Sequence, residues 1–187
     1  MDWSETSPRH IEKIALSLHT KYCTEIAPTQ LYTGVEVTHE SLQLPDLGLE
    51  ITGTIDRERL VNGKHGIADL KSGKNVVNAS GEVDPKKHYF QMGVYELLYE
   101  VNTGIVCEAP AGILGMNTAA KPENQRIGFV EVAGAKHLLI GTEENPGLLE
   151  MAAKIIGGGL FYGNPRSMFC SKKICPIYDK CRYRGAN

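Results

Sequence analysis

Two carboxylates and a lysine in this sequence have the types and spacing for phosphoryl chemistry. Asp56 closes one strand-like run, and Asp69-Leu70-Lys71 closes the next, across an Asn62-Gly63 hairpin signal. Carboxylates delivered from adjacent strands meet at one point in space. Such hard oxygen donors suit Mg²⁺ or Mn²⁺, which bind through one or two carboxylates plus waters and substrate phosphate. Side chains alternate faces along a strand, so Asp69 and Lys71 point the same way. Lys71 then stands beside the metal, where an ammonium orients water or stabilises developing charge. Leu70 points into the core, with its backbone carbonyl as a further metal ligand. Glu36, in Gly34-Val-Glu-Val37, is a further metal-ligand candidate, against an ordinary strand-surface carboxylate.

A second constellation lies near the C-terminus, where Cys170, Cys175 and Cys181 hold three of the five cysteines. Clustered thiols in a reducing compartment read as metal ligands rather than disulfides. Thiolates suit zinc or an iron–sulfur cluster. The spacing matches no zinc-ribbon pattern, and a four-coordinate site needs one more ligand. Cys23, near the end of the first helix, is the better fourth ligand. Cys107, in the apolar run Gly104-Ile-Val-Cys107, reads as a buried small hydrophobe. A chance group of free thiols is the remaining alternative.

The elements that must position these residues follow from periodicity and punctuation. Ser7-Pro8 starts a helix, with Ile11, Ile14, Leu18 and Tyr22 on one stripe and Pro28 at its end. Strands are expected at Leu31–Val37, Leu47–Asp56 and Gly66–Lys71, with Gly53 marking a bulge or a close approach by other atoms. A helix from Lys86 to about Gly104 carries Gln91 and Tyr95, which are four apart and share a face. Strands at Ile105–Leu114 and Arg126–Val132, then a helix at Leu148–Ile156, complete an α/β or α+β domain.

At 187 residues, with 42% hydrophobic and 22% charged residues, the chain is expected to be one soluble domain over 1–187. No apolar stretch is long enough to cross a bilayer, and the start lacks a signal-peptide pattern, so a cytoplasmic location is expected. A net charge of −2 argues against electrostatically driven nucleic-acid binding. The charge is uneven, however: Arg166, Lys172, Lys173, Lys180, Arg182 and Arg184 face a single anion, Asp179, making residues 164–187 a basic, cysteine-rich closing segment. No Gly-x-Ser-x-Gly elbow and no Gly-x4-Gly-Lys-Ser/Thr loop occurs, which excludes the usual hydrolase and nucleotide-motor motifs.

Gly53-Thr-Ile-Asp56, then Ile67-Ala-Asp69-Leu-Lys71-Ser-Gly-Lys74, then Tyr89-Phe-Gln91-Met-Gly-Val-Tyr95 follow in the order of the PD-(D/E)xK nuclease motifs. The set resembles the RecB-type and CRISPR-adaptation branch, and the tail is similar to those of phage-encoded relatives. The resemblance implies a restriction-endonuclease-like core, with a central mixed sheet flanked by helices. It implies a Mg²⁺- or Mn²⁺-dependent deoxyribonuclease, as an exonuclease in recombination, repair or phage DNA processing. The catalytic residues would be Asp56, Asp69, Lys71, Gln91 and Tyr95, with Lys74, Arg166, Lys172 and Lys173 on DNA. It implies an upstream metal-binding histidine, for which His19 on the N-terminal helix is the candidate, against a surface helix histidine. It further implies a [4Fe–4S] cluster on Cys170, Cys175, Cys181 and Cys23, with Zn²⁺ as the fallback. A single-strand annealing or helicase partner, and host-cell cytoplasm for a phage protein, belong to the same expectation. The alternative is a DNA-binding module with a vestigial nuclease fold.

Overall fold

The computed structural model describes residues 7–159, 163–164, 167 and 170–184. Helix α1 (Pro8–Lys21) begins as expected, with Ser7 Oγ accepting from the His10 amide at 3.3 Å. It widens into a π-helical turn at Tyr22–Ile26 and then tightens into a 3-10 turn at Ala27–Thr29, so the α-helix ends well before Pro28. Five strands form the main sheet in the order β1 (Leu31–Thr38), β4 (Thr54–Val61), β5 (Lys64–Gly73), β6 (Ala111–Asn117), β7 (Ile127–Val132). The β5–β6 pair is parallel and the other three are antiparallel. A parallel pair needs a crossover, and α2 (Tyr89–Thr103) lies within it.

The long run expected at Leu47–Asp56 is two elements. Gly48, at φ 62°, closes a small hairpin of β2 (Leu42–Leu44) and β3 (Leu49–Ile51), and β4 starts afresh after Gly53. Asp56 therefore sits near the start of β4, not at the end of a strand. The alternating charges Asp56-Arg-Glu-Arg59 conceal this strand from a hydrophobicity pattern, because Arg59 is buried there with polar partners. Its guanidinium donates to Pro110 O at 2.6 Å and to Glu131 at 3.2 Å. The strand expected from Ile105 starts only at Ala111, after a connection in which the Cys107 amide donates to Glu100. Helix α3 (Ala135–Ile140) is too short to show a period, and α4 (Leu148–Gly157) matches expectation. No described helix is long and apolar enough to cross a membrane.

The core lies between the sheet and α2. Ile55, Ile67 and Ile113 pack with Met92 and Tyr99 of α2 and with Ala135 of α3. Gly53 and Gly93 are contact points. A Cβ on Gly53 would meet Leu98 at 3.0 Å and Tyr95 at 3.1 Å, and one on Gly93 would meet the Ala135 carbonyl at 2.7 Å. Gly53 thus brings the β4 entry against the helix that carries Gln91 and Tyr95. The α/β architecture, with its mixed central sheet, is the one expected.

Candidate active site

The β4–β5 ladder runs from the Asn62-Gly63 turn and stops at Arg57–Ala68, one residue short of Asp56 and Asp69. Where the ladder stops, the Leu70 amide turns to the Asp56 side chain and donates to Oδ2 at 2.7 Å. On its other side β5 stays paired with β6, with Leu70 opposite Leu114, so Asp69 and Lys71 are held on a strand fixed from one flank. This local parting of two strands delivers both carboxylates to one place.

Asp69 is 2% exposed. Burial pushes its carboxyl above the ordinary range and the nearby Asp56 charge adds to that, while the Lys71 ammonium opposes both. Lys71 Nζ stands 2.7 Å from Asp69 Oδ2, as an ion pair whose approach angle leaves that oxygen without a directional hydrogen bond. Gln91 Nε2 lies 3.5 Å from Asp69 Oδ1 and donates to the Tyr95 hydroxyl at 2.8 Å. The shared helix face expected for Gln91 and Tyr95 therefore meets the strand pair.

The donor chemistry fits a hard divalent cation. Two carboxylates share a site with one positive partner, and the buried one is disfavoured in its charged form. A cation would relieve that, taking Asp56 and Asp69 as ligands with the Leu70 carbonyl as a third oxygen. His19 lines a small cavity together with Asp69 and Leu70. Glu36 is turned away instead. Its backbone is left-handed at φ 51°, and its two-thirds-exposed carboxylate pairs with Arg57 at 3.5 Å. Arg57 lies on the opposite side of β4 from Asp56, near the Tyr32 ring.

His88 escaped sequence reasoning. It caps α2 three residues before Gln91, on the same helix face, and that spacing was the available signal. Burial and the Lys71 charge lower its pKa, while Asp69 raises it, so its imidazole stands within the field of both groups.

The cysteines do not converge. Among the described residues no group of three or more His, Cys, Asp or Glu side chains is placed to hold a metal ion. Cys170, Cys175, Cys181 and Cys23 thus form neither the expected [4Fe–4S] ligand set nor its zinc fallback. Cys23 is exposed on the π-helical turn, with Sγ 3.5 Å from His19 Nε2. Cys175 and Cys181 are fixed by local turns, their amides bonded to Ser171 and Tyr178 carbonyls. Cys107 behaves as the expected hydrophobe, with burial pushing its thiol up to about 12. Of the expected DNA-binding cations, Lys74 follows β5, Lys172 pairs with Asp179 at 3.5 Å and Lys173 is exposed. Arg166 lies outside the described residues.

Comparison with known proteins accords with this geometry. The sequence matches the model of the PD-(D/E)XK nuclease superfamily over residues 3–182. No curated protein matches it by sequence. Among solved structures, a "Putative exonuclease" from Eubacterium rectale superposes with a TM-score of 0.54 at 16% identity, over 93% of this chain and 60% of that one. That identity shows a shared fold alone, and this chain spans less than two thirds of the matched protein.

Proposed function

Since the chain belongs to the PD-(D/E)XK nuclease superfamily, we propose that it is a divalent-metal-dependent deoxyribonuclease, acting as an exonuclease. The observation that carries this reading is the meeting of Asp56, Asp69 and Lys71 at the parted strands, with Gln91 reaching Asp69 from α2. When bound by Asp56, Asp69 and the Leu70 carbonyl, Mg²⁺ or Mn²⁺ supplies Lewis-acid polarisation and a more acidic water. The chain's own groups do the rest. Lys71 holds its ammonium beside the carboxylates, where it orients the attacking water and offsets charge on the phosphoryl oxygens. Gln91, anchored by Tyr95, positions the strand against Asp69. Water adds to phosphorus, one bridging P–O bond breaks, and the departing oxygen takes up a proton.

One gel tests the reading. End-labelled linear, circular and single-stranded DNA are incubated with Mg²⁺, Mn²⁺ or EDTA. Metal-dependent loss of linear DNA, sparing circles and abolished by Asp69→Ala, is the expected result. Full activity of purified Asp69→Ala or Lys71→Ala would overturn the site. Cleavage of circles would replace exonuclease with endonuclease action. DNA binding without any metal-dependent cleavage would favour a binding module.

A further inference from the structure

On the sheet face away from α2, helix α1 stands off from the strands. Only Leu18 of α1 is buried, and Leu70 and Met116 on the sheet are half-buried. Protein interiors are close-packed as a rule. Here a cavity of about 610 Å³ remains between helix and sheet. Its wall is one stripe of α1, with Ile11, Ile14, Ala15 and Leu18 at helical spacing. Its floor is every second residue of β5, β6 and their continuations: Leu70, Ser72 and Lys74 on one, Met116, Thr118 and Ala120 on the other. Alternation leaves Asp69 and Lys71 on the opposite face, where Gln91 of α2 meets Asp69. The cavity is separate from the proposed active site.

Polarity changes along this floor in one direction. β5 and β6 are parallel, and both pass from apolar to polar as they run, Leu70 to Ser72 to Lys74 and Met116 to Thr118. The Thr118 amide donates to Gly73 O at 3.1 Å, so the two chains stay side by side to that end. Lys74 is exposed there, and none of the lining residues is acidic. His10, in the first turn of α1, also lines the cavity, and that turn holds no acid. The positive end of the helix dipole therefore adds to the potential of Lys74, with no carboxylate of its own to offset it. Two other large cavities of the described residues set acid beside base. One pairs Arg59 with Glu131, and another Lys87 with Glu82 and Asp84.

An apolar inner end with a cationic rim selects a molecule with a hydrocarbon body and one anionic group. We propose that the cavity beneath α1 binds a small amphiphilic anion, a medium-chain carboxylate, with its chain over Leu70 and Met116 and its carboxylate at Lys74. From Leu70 to Lys74 the strand spans about 13 Å at ~3.3 Å per residue, the scale of such a chain laid out straight. The volume falls within the ~300–1,000 Å³ of small-ligand sites. Binding withdraws the chain, Ile14, Leu70 and Met116 from water together, which is the driving force. A nucleic-acid strand suits the cavity less, since its phosphates recur along its length and Lys74 stands at one end. Ligand binding here does not depend on the nuclease reading, because Asp56, Asp69, Lys71 and Gln91 lie outside the lining.

The test is a titration of the chain followed in methyl NMR spectra, with sodium octanoate and, for comparison, 1-octanol of the same chain length. Saturable shifts at the Ile14, Leu18, Leu70 and Met116 methyls are expected, with one octanoate bound per chain. Octanoate should bind about tenfold more tightly than 1-octanol, the worth of one charge-assisted hydrogen bond. Lys74→Met should erase that difference and leave 1-octanol affinity unchanged. Ala15→Phe puts a ring into the cavity from an exposed helix position. It should weaken both ligands by about tenfold, the loss of roughly two buried methylenes. Shifts confined to other apolar surfaces, such as exposed Met151 and Ile155 of α4, overturn the proposal. So do equal affinities for octanoate and 1-octanol, a Lys74→Met chain that keeps the preference, and a folded Ala15→Phe chain with undiminished binding. Should circular dichroism show that Ala15→Phe has lost helix, the wild-type shift pattern and Lys74→Met decide. An oligothymidylate that shifts the same methyls where octanoate shifts none would make the cavity a nucleic-acid site, and likewise overturns the proposal.

Discussion

Asp69 shows how much chemistry one buried carboxyl can set up. It has lost water, faces Asp56 and keeps one cationic neighbour, Lys71. Proton and metal ion therefore compete for it. With its pKa raised, Asp69 must lose a proton before it can ligate, so Mn²⁺ affinity should climb as pH rises through the upper carboxylate range and level off once the group is ionised. Calorimetric titrations at several pH values check this, and a pH-independent affinity would remove Asp69 from the ligand set. Besides its ion pair with Asp69, Lys71 is placed to act on the charge that develops in the reaction. Lys71→Met should lower kcat by about 10²–10³-fold, the usual cost of one electrostatic donor, while Mn²⁺ still binds. Loss of Mn²⁺ binding along with activity would instead make Lys71 a determinant of metal affinity. The Asp–Asp–Lys set was legible in the sequence because strand alternation fixes which residues share a face. His88 was not, since its significance depends on how α2 approaches β5.

At the scale of elements, α2 serves the site with one face and the fold with the other. Gln91 and Tyr95 look to Asp69, while Glu96 is buried towards α3 and accepts from the Lys136 amide at 3.3 Å. Burial lifts the Glu96 carboxyl from 4.5 to about 7; the Lys136 amide and ammonium lower it, and Glu100 raises it. A folded pKa above the unfolded value stabilises the fold at low pH. This contribution is complete below 4.5 and is lost as pH rises to about 7. Glu96→Gln should therefore match the wild type at pH 4 and exceed its stability at pH 8, by up to about 3 kcal/mol. Urea titrations that run parallel across this range would show that Glu96 ionises as freely as on a surface. Gly93 sets the helix spacing on the same side. Gly93→Ala pushes a methyl onto the Ala135 carbonyl and should cost about 1–3 kcal/mol, which the same titrations measure. Helix α1 and the Asn62-Gly63 hairpin were readable because caps and turns are local signals. The split at Gly53 and the start of β4 were not. There the strand's charges are satisfied by partners distant in sequence, as when Arg59 meets Pro110 and Glu131.

For the whole molecule, a net charge of −2 is a poor guide to what the protein binds, because the sum combines unlike regions. Part of the acidic excess is Asp56 and Asp69, whose local sign a divalent cation would reverse. The tail's basic excess is partly spent within itself, since Asp179 lies 3.5 Å from Lys172 and 3.7 Å from Arg184. Coupling between the metal site and global stability follows from placement. Asp56 is on β4 and Asp69 on β5, and the ladder joining them stops just before both. An ion held by the two carboxylates would close that parting and bind only the folded chain. Ligand linkage then stabilises the fold by about 2.7 kcal/mol at a hundredfold excess over Kd, or roughly 5–11 °C in Tm for a domain of this size. Differential scanning calorimetry with Mn²⁺, then with excess EDTA, should show a reversible rise of that size in the wild type and none in Asp69→Asn. An equal rise in Asp69→Asn would place the stabilising ion elsewhere on the molecule and separate the fold's metal dependence from its chemistry.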